Sequence, residues 1–96
     1  MLQISYKKGK YELKGSLMLE SSRSLLSYFK TLIKYDSDVV LSLKELKDID
    51  MTGINALREL GEIATKNNKK FTIFKKVNEK ISWILNDPRL GEVLKE

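Results

Sequence analysis

The sequence predicts a small α/β fold in a single domain spanning residues 1–96: a small mixed β-sheet, made of an N-terminal hairpin plus parallel strands, packed with three to four helices. Three observations predict it. Apolar residues alternate with period two at the start of the chain, the period then switches to that of a helix, and strand-like and helix-like segments alternate from there on. Alternation of that kind implies right-handed crossovers and a largely parallel sheet, with the hairpin as its antiparallel part.

Leu2, Ile4 and Tyr6 precede a KKGK turn, and Tyr11 and Leu13 follow it, which reads as a hairpin. After Gly15 and Ser16 the spacing changes. Leu25, Leu26, Phe29, Leu32 and Ile33 mark one face of a helix whose N-cap is expected at Ser21 or Ser22, closed by Tyr35-Asp36-Ser37. Val39, Val40, Leu41 and Leu43 then form a short apolar run, the signature of a central strand covered on both faces, and ELKDID carries the chain onward. Beyond Gly53, a stripe of Ile54, Leu57, Gly61 and Ala64, widened by Ala56, Leu60 and Ile63, defines a second helix that ends at Asn67-Asn68. Leu57, Leu60 and Ile63 are expected to face the sheet. Phe71 to Phe74 read as a further strand. Val77, Ile81, Ile84 and Leu85 outline a third helix that stops near Pro88, and Leu90, Val93 and Leu94 allow a last helical turn or two.

Composition narrows the chemistry. With no Cys and no His, thiol nucleophiles, disulfides, Cys/His zinc sites and imidazole acid–base catalysis are excluded. No metal site, cofactor or catalytic residue is expected. MLQISYKKGK holds no long apolar run, so no secretory signal is expected, and no stretch of about 18 apolar residues suggests a transmembrane segment. A cytoplasmic bacterial protein, a monomer or weak dimer, is the expectation. The net charge of +5 comes from 18 basic and 13 acidic residues, with lysines at positions 7, 8, 10 and 14 and again between 66 and 80. They suit either a patch for an acidic partner or the solvation of turns and strand edges. Without an accompanying stacking pattern of aromatics, no nucleic acid is expected.

The junction Asp50-Met51-Thr52-Gly53 stands between a strand and a helix. The first N–H groups of a helix lack intrahelical partners and favour negative charge, so the junction can serve as an anion site. Equally, Asp50 or Thr52 can cap the helix while Gly53 permits a tight turn. The stretch from Val39 to Leu85 resembles the anti-sigma-factor antagonist family, the STAS domain: a hydrophobic strand, a loop ending Asp-Ser-Ser/Thr-Gly, a Leu-rich helix, then a strand and a further helix. Asp50, Thr52 and Gly53 match that loop, Ile54 and Leu57 match the helix behind it, and YELKGSL matches a second strand carrying Gly at position 15.

The resemblance implies a binding module without catalytic activity. Phosphorylatable members of the family bind an anti-sigma factor with serine-kinase activity, and phosphorylation of the hydroxyl directly after the Asp breaks the complex. Other members serve stress-signalling complexes, anion transporters or the ATPase of lipid-transfer transporters. Here Met51 occupies the acceptor position, so the usual serine switch is missing, and Thr52 is a secondary candidate for modification. The implied partner is a protein, either a serine-kinase-like anti-sigma factor or a transporter ATPase. The expected docking surface combines Asp50, Met51, Thr52 and Gly53 with the outer helix face at Asn55, Arg58, Glu59 and Glu62. A small anion- or nucleotide-binding regulator is the remaining alternative, weakened by the lack of a Walker-type phosphate loop.

Overall fold

A computed structural model describes residues 1–35 and 37–95; the Asp36 part of the expected helix end lies outside the described residues. The chain opens with β1 (Leu2–Lys7) and β2 (Lys10–Leu17), paired antiparallel with Ile4 opposite Leu13 and Tyr6 opposite Tyr11. Lys8 and Gly9 both take positive φ, 52° and 82°, the type I′ geometry whose twist matches that of paired strands. Then follow α1 (Leu19–Tyr35), β3 (Val39–Ile49), α2 (Met51–Lys66) and β4 (Phe71–Phe74). Two 3₁₀ segments, Glu79–Asn86 and Pro88–Leu90, lead to β5 (Leu94–Lys95).

The sheet runs β1-β2-β3-β4-β5, with β3 in the middle and every pair after the hairpin parallel. Because the strands step across the sheet in chain order, right-handed crossovers put all connections on one face. Contacts agree. Phe29 of α1 meets Tyr11 edge-on, with ring centroids 5.0 Å apart, and Gly53 of α2 sits against Leu17 and Ile49. One core results, in which Leu13, Leu17, Leu41, Leu43 and Leu46 of the sheet meet Leu25, Phe29 and Ile33 of α1 and Ile54, Leu57 and Leu60 of α2. The expectation that β3 is covered on both faces is therefore corrected: its other face carries Val40, Ser42 and the exposed Lys44, and among the described residues it is side chains of the neighbouring strands, not a helix, that border it.

β3 is also longer than the apolar run that announced it. Its core-facing residues are Val39, Leu41, Leu43, Leu46 and Ile49, so the interval changes from two to three. The register explains this. Glu12 pairs with Ser42 but Lys14 with Glu45, and Gly15 pairs with Leu46 but Ser16 with Asp48. Each shift inserts one extra residue into β3, a bulge that returns the next apolar side chain to the core. Gly15, at φ 109°, lies in this region, and a Cβ there would collide with the Met1 carbonyl.

Three further details differ from the expectations. α1 starts at Leu19 rather than near Ser22: Ser21 Oγ accepts from Met18 N–H (2.9 Å) and donates to the Ser16 carbonyl (2.9 Å), serving the turn from inside the helix. The third helix is 3₁₀, not α, because Ile81 and Ile84 repeat at interval three, and its first bond, Ile81 N–H to the Asn78 carbonyl, spans three residues. The last apolar cluster is divided: Leu90 lies in the second 3₁₀ segment, a helical turn as expected, whereas Leu94 belongs to a strand, pairing with Ile73 as Lys95 pairs with Phe74. Among the described residues no helix is long and apolar enough to cross a membrane.

Leu57 and Leu60 are fully buried, and Ile63 is half-buried at the margin of the same core. Leu57→Ala should cost about 2–5 kcal/mol in urea unfolding, the range for removing a buried leucine side chain. A loss below about 0.5 kcal/mol would mean that the α2 stripe does not pack as described.

Candidate functional site

β3 ends at Ile49 and α2 begins at Met51, so Asp50 alone makes the corner. Its backbone is extended (φ −116°, ψ −172°), and a single carboxylate oxygen, Oδ1, accepts from Thr52 N–H (2.9 Å), Gly53 N–H (3.1 Å) and the Thr52 hydroxyl (2.5 Å). The Thr52 hydroxyl bond, with the two amides adding to it against the opposing effect of burial, holds the Asp50 carboxyl below its ordinary range. Thus the cap reading of the junction describes this geometry. Two of the helix's free donors are already matched to Asp50, which leaves less for an external anion.

Thr52 faces inward as well. Its hydroxyl lies 3.4 Å from that of Ser22, a buried residue of α1, so the cap is tied to the neighbouring helix. Gly53 does not take positive φ, contrary to a tight-turn role. It is glycine because a Cβ would stand 2.6 Å from the Leu17 carbonyl oxygen and 2.7 Å from Ile49 Cγ1. The start of α2 rests directly on the ends of β2 and β3.

Met51, the first residue of α2, points outward and is 51% exposed. Arg89 Nη2 lies 3.3 Å from its sulfur. The guanidinium is held by Asp87 through Nε (2.9 Å) and Nη2 (2.5 Å), and Asp87 Oδ1 also accepts from Arg89 N–H. These bonds from Arg89, side chain first, lower the Asp87 carboxyl to about 2, and Asp87 in turn raises the Arg89 pKa. Neither residue stands out in the sequence. The only signal was the Asp-Pro-Arg order, in which Asp87 caps the turn that Pro88 begins.

The four residues expected on the outer face of α2 divide between two surfaces. Asn55 and Glu59 line a shallow groove of about 210 Å³ together with Leu19, Ser22, Arg23 and Leu26 of α1. Arg58 and Glu62 form a 3.0 Å ion pair and border a larger cleft, about 770 Å³, with Pro88, Arg89 and Glu92 on its far side. Met51 stands at the head of the helix, joined to the second surface through Arg89. Asp50, Met51, Thr52 and Gly53 are thus one unit, and the helix residues flank it on both sides.

This architecture, a five-stranded mixed sheet with helices over one face and an Asp-capped second helix, is the STAS fold. The anti-sigma factor antagonist SpoIIAA, in its unphosphorylated form, matches it with a TM-score of 0.71 over 100% of this chain and 88% of that one, at 9% sequence identity. A crystal structure of Mglu matches with a TM-score of 0.56 over 80% of this chain at 16% identity; the match spans 19% of the Mglu chain. No family model and no curated protein matches the sequence.

Asp50→Ala should lower stability by about 0.5–2 kcal/mol, the usual effect of deleting an N-cap. The pH sign follows from the lowered carboxyls. Both Asp50 and Asp87 contribute stability that is complete above about pH 5, where an unfolded aspartate is almost fully ionised, and that is lost as pH falls through their depressed folded values. In thermal unfolding from pH 6 to pH 2, Asp50→Ala should therefore show a shallower acid loss than wild type; parallel curves would contradict the cap geometry.

Proposed function

We propose that this chain is a non-catalytic protein-interaction module of the anti-sigma-factor antagonist type, docking a regulatory protein through Asp50 to Glu62. The observation that carries the proposal is Met51: an apolar side chain held half-exposed at the head of α2, on a corner fixed by Asp50 and Thr52. A flexible thioether at such a point suits contact with an irregular protein surface. The match to SpoIIAA, an anti-sigma factor antagonist, favours an anti-sigma factor as the partner, and the family resemblance of the Asp50–Gly53 loop favours one with serine-kinase activity.

The same position argues that the contact is constitutive. A methionine has no hydroxyl to phosphorylate. The Thr52 hydroxyl is bonded to Asp50 and lies near Ser22, so presenting it to a kinase would require breaking the cap. Binding would then be set by the abundance of the partners rather than by a phosphate at this loop.

The test begins with capture of the partner from native lysate on the tagged protein, followed by calorimetry with the purified partner. Arg58→Glu replaces a surface i,i+4 ion pair by a like-charge pair with Glu62, a change of about 1 kcal/mol at most, and should leave the fold intact. It should nevertheless weaken binding by about tenfold or more through charge reversal at the surface. Met51→Asp should do the same by placing a carboxylate at the helix head. If both variants fold normally and bind as tightly as wild type, docking occurs elsewhere.

Phosphate transfer supplies a second check. With a captured anti-sigma kinase, wild type should take up no phosphate at residues 51 or 52, whereas Met51→Ser should be modified at the new serine. Stoichiometric labelling of wild type at Thr52, located by peptide mapping, would show a displaced switch rather than a missing one.

A further inference from the structure

The face of the sheet that no helix covers is strongly one-sided in charge. Lys10, Lys14, Lys44, Lys75 and Lys76 border two adjoining depressions on it, together with Glu12 and Glu45. Lys7 is the cross-strand partner of Lys10 and so shares its face. Six exposed lysines against two glutamates leave +4 here, out of +5 for the whole chain. Among the described residues the ion pairs are Arg58–Glu62 and Asp87–Arg89, so none of the six lysines is matched to a carboxylate within 4.0 Å. The remaining surface is close to neutral.

We propose that this open sheet face docks the domain onto an anionic lipid bilayer, with the lysine ammonium groups toward the headgroup phosphates. Small polar residues, Gln3, Ser5 and Ser42, lie between the lysines, so a broad surface can approach the long basic chains without a projecting obstacle. Crowded like charges repel one another until an anionic surface neutralises them, and each lysine near such a surface adds to attachment. Nucleic acid fits the face less well. A duplex is read by an element that enters a groove, and single strands need open aromatic faces on which bases stack. Phe74 is the aromatic residue bordering these depressions; it is half-buried, with Lys10 Nζ 5.0 Å from its ring centroid. Docking through this face would turn α2 and Met51 away from the bilayer, so membrane attachment stands independently of the partner reading.

The test is co-sedimentation of the full chain with vesicles of phosphatidylglycerol and phosphatidylcholine, against vesicles of phosphatidylcholine alone. Binding should require the anionic lipid and weaken steeply with added salt. Joint replacement Lys10→Gln, Lys14→Gln and Lys44→Gln should reduce partitioning by about a hundredfold. Lys30→Gln, Lys34→Gln and Lys80→Gln remove the same charge from exposed positions on α1 and the first 3₁₀ segment, and should stay within about threefold of wild type. Thermal unfolding of both variants checks that they fold, and the lipid and salt dependence of wild type tests the idea without any substitution. No preference for anionic vesicles, or equal losses in the two variants, would overturn the proposal. So would tighter binding of a single-stranded RNA oligonucleotide than of the vesicles.

Discussion

The architecture of the candidate site depends on one carboxylate oxygen. Asp50 Oδ1 receives two backbone amides and one hydroxyl, and this fixes where β3 stops, where α2 starts and how α2 is rotated. With the first turn set, Ile54, Leu57 and Leu60 fall toward the sheet, while Met51, Asn55 and Glu59 fall away from it. Gly53 adds a steric condition to the electrostatic one, since only a residue without Cβ lets the helix start sit on the Leu17 carbonyl. Thr52 joins the two, completing the Asp50 bonds on one side and approaching Ser22 of α1 on the other. A loop held by this many short-range bonds is a rigid presenter of whatever residue stands at its tip.

Much of the fold was legible because its periods were clean. The alternation at Leu2, Ile4 and Tyr6, the helical interval from Leu25 to Ile33 and the stripe from Ile54 to Ala64 each identify an element and its buried face. What failed did so for definite reasons. The two bulges turn the β3 interval from two to three after Leu43, and an interval of three looks like helix or loop when read along the chain. The same interval in Ile81 and Ile84 belongs to a 3₁₀ segment, whose hydrogen bonds span one residue fewer than those of an α-helix. β5 has two residues, too few for any period, and it forms because β4 offers it an open edge. The apolar run Val39 to Leu43 suggested cover on both faces, but long side chains of neighbouring strands, rather than a helix, flank Ser42.

The site divides along the same line. The Asp-x-Thr-Gly spacing is local, so its cap could be read from four consecutive residues. The Arg89 contact with Met51 and the Ser22 contact with Thr52 join positions 38 and 30 residues apart, which only the folded chain brings together. The outer face of α2 looked like one strip at intervals of three and four. In the structure α1 and the second 3₁₀ segment stand on opposite sides of it and split the strip into two surfaces. Charge shows the same effect: lysines scattered along the chain as apparent turn residues converge on one sheet face once the strands are paired.

At the centre of this account is the claim that Asp50 and Thr52 act as a single locked unit. A double-mutant cycle with Asp50→Ala and Thr52→Val, read by urea unfolding, tests it most directly. If the hydroxyl and the carboxylate stabilise one another, the double variant should lose less than the sum of the single losses, with a coupling of about 1 kcal/mol or more. Losses that add to within about 0.3 kcal/mol would show two independent residues, and the rigid corner that presents Met51 would have to be abandoned.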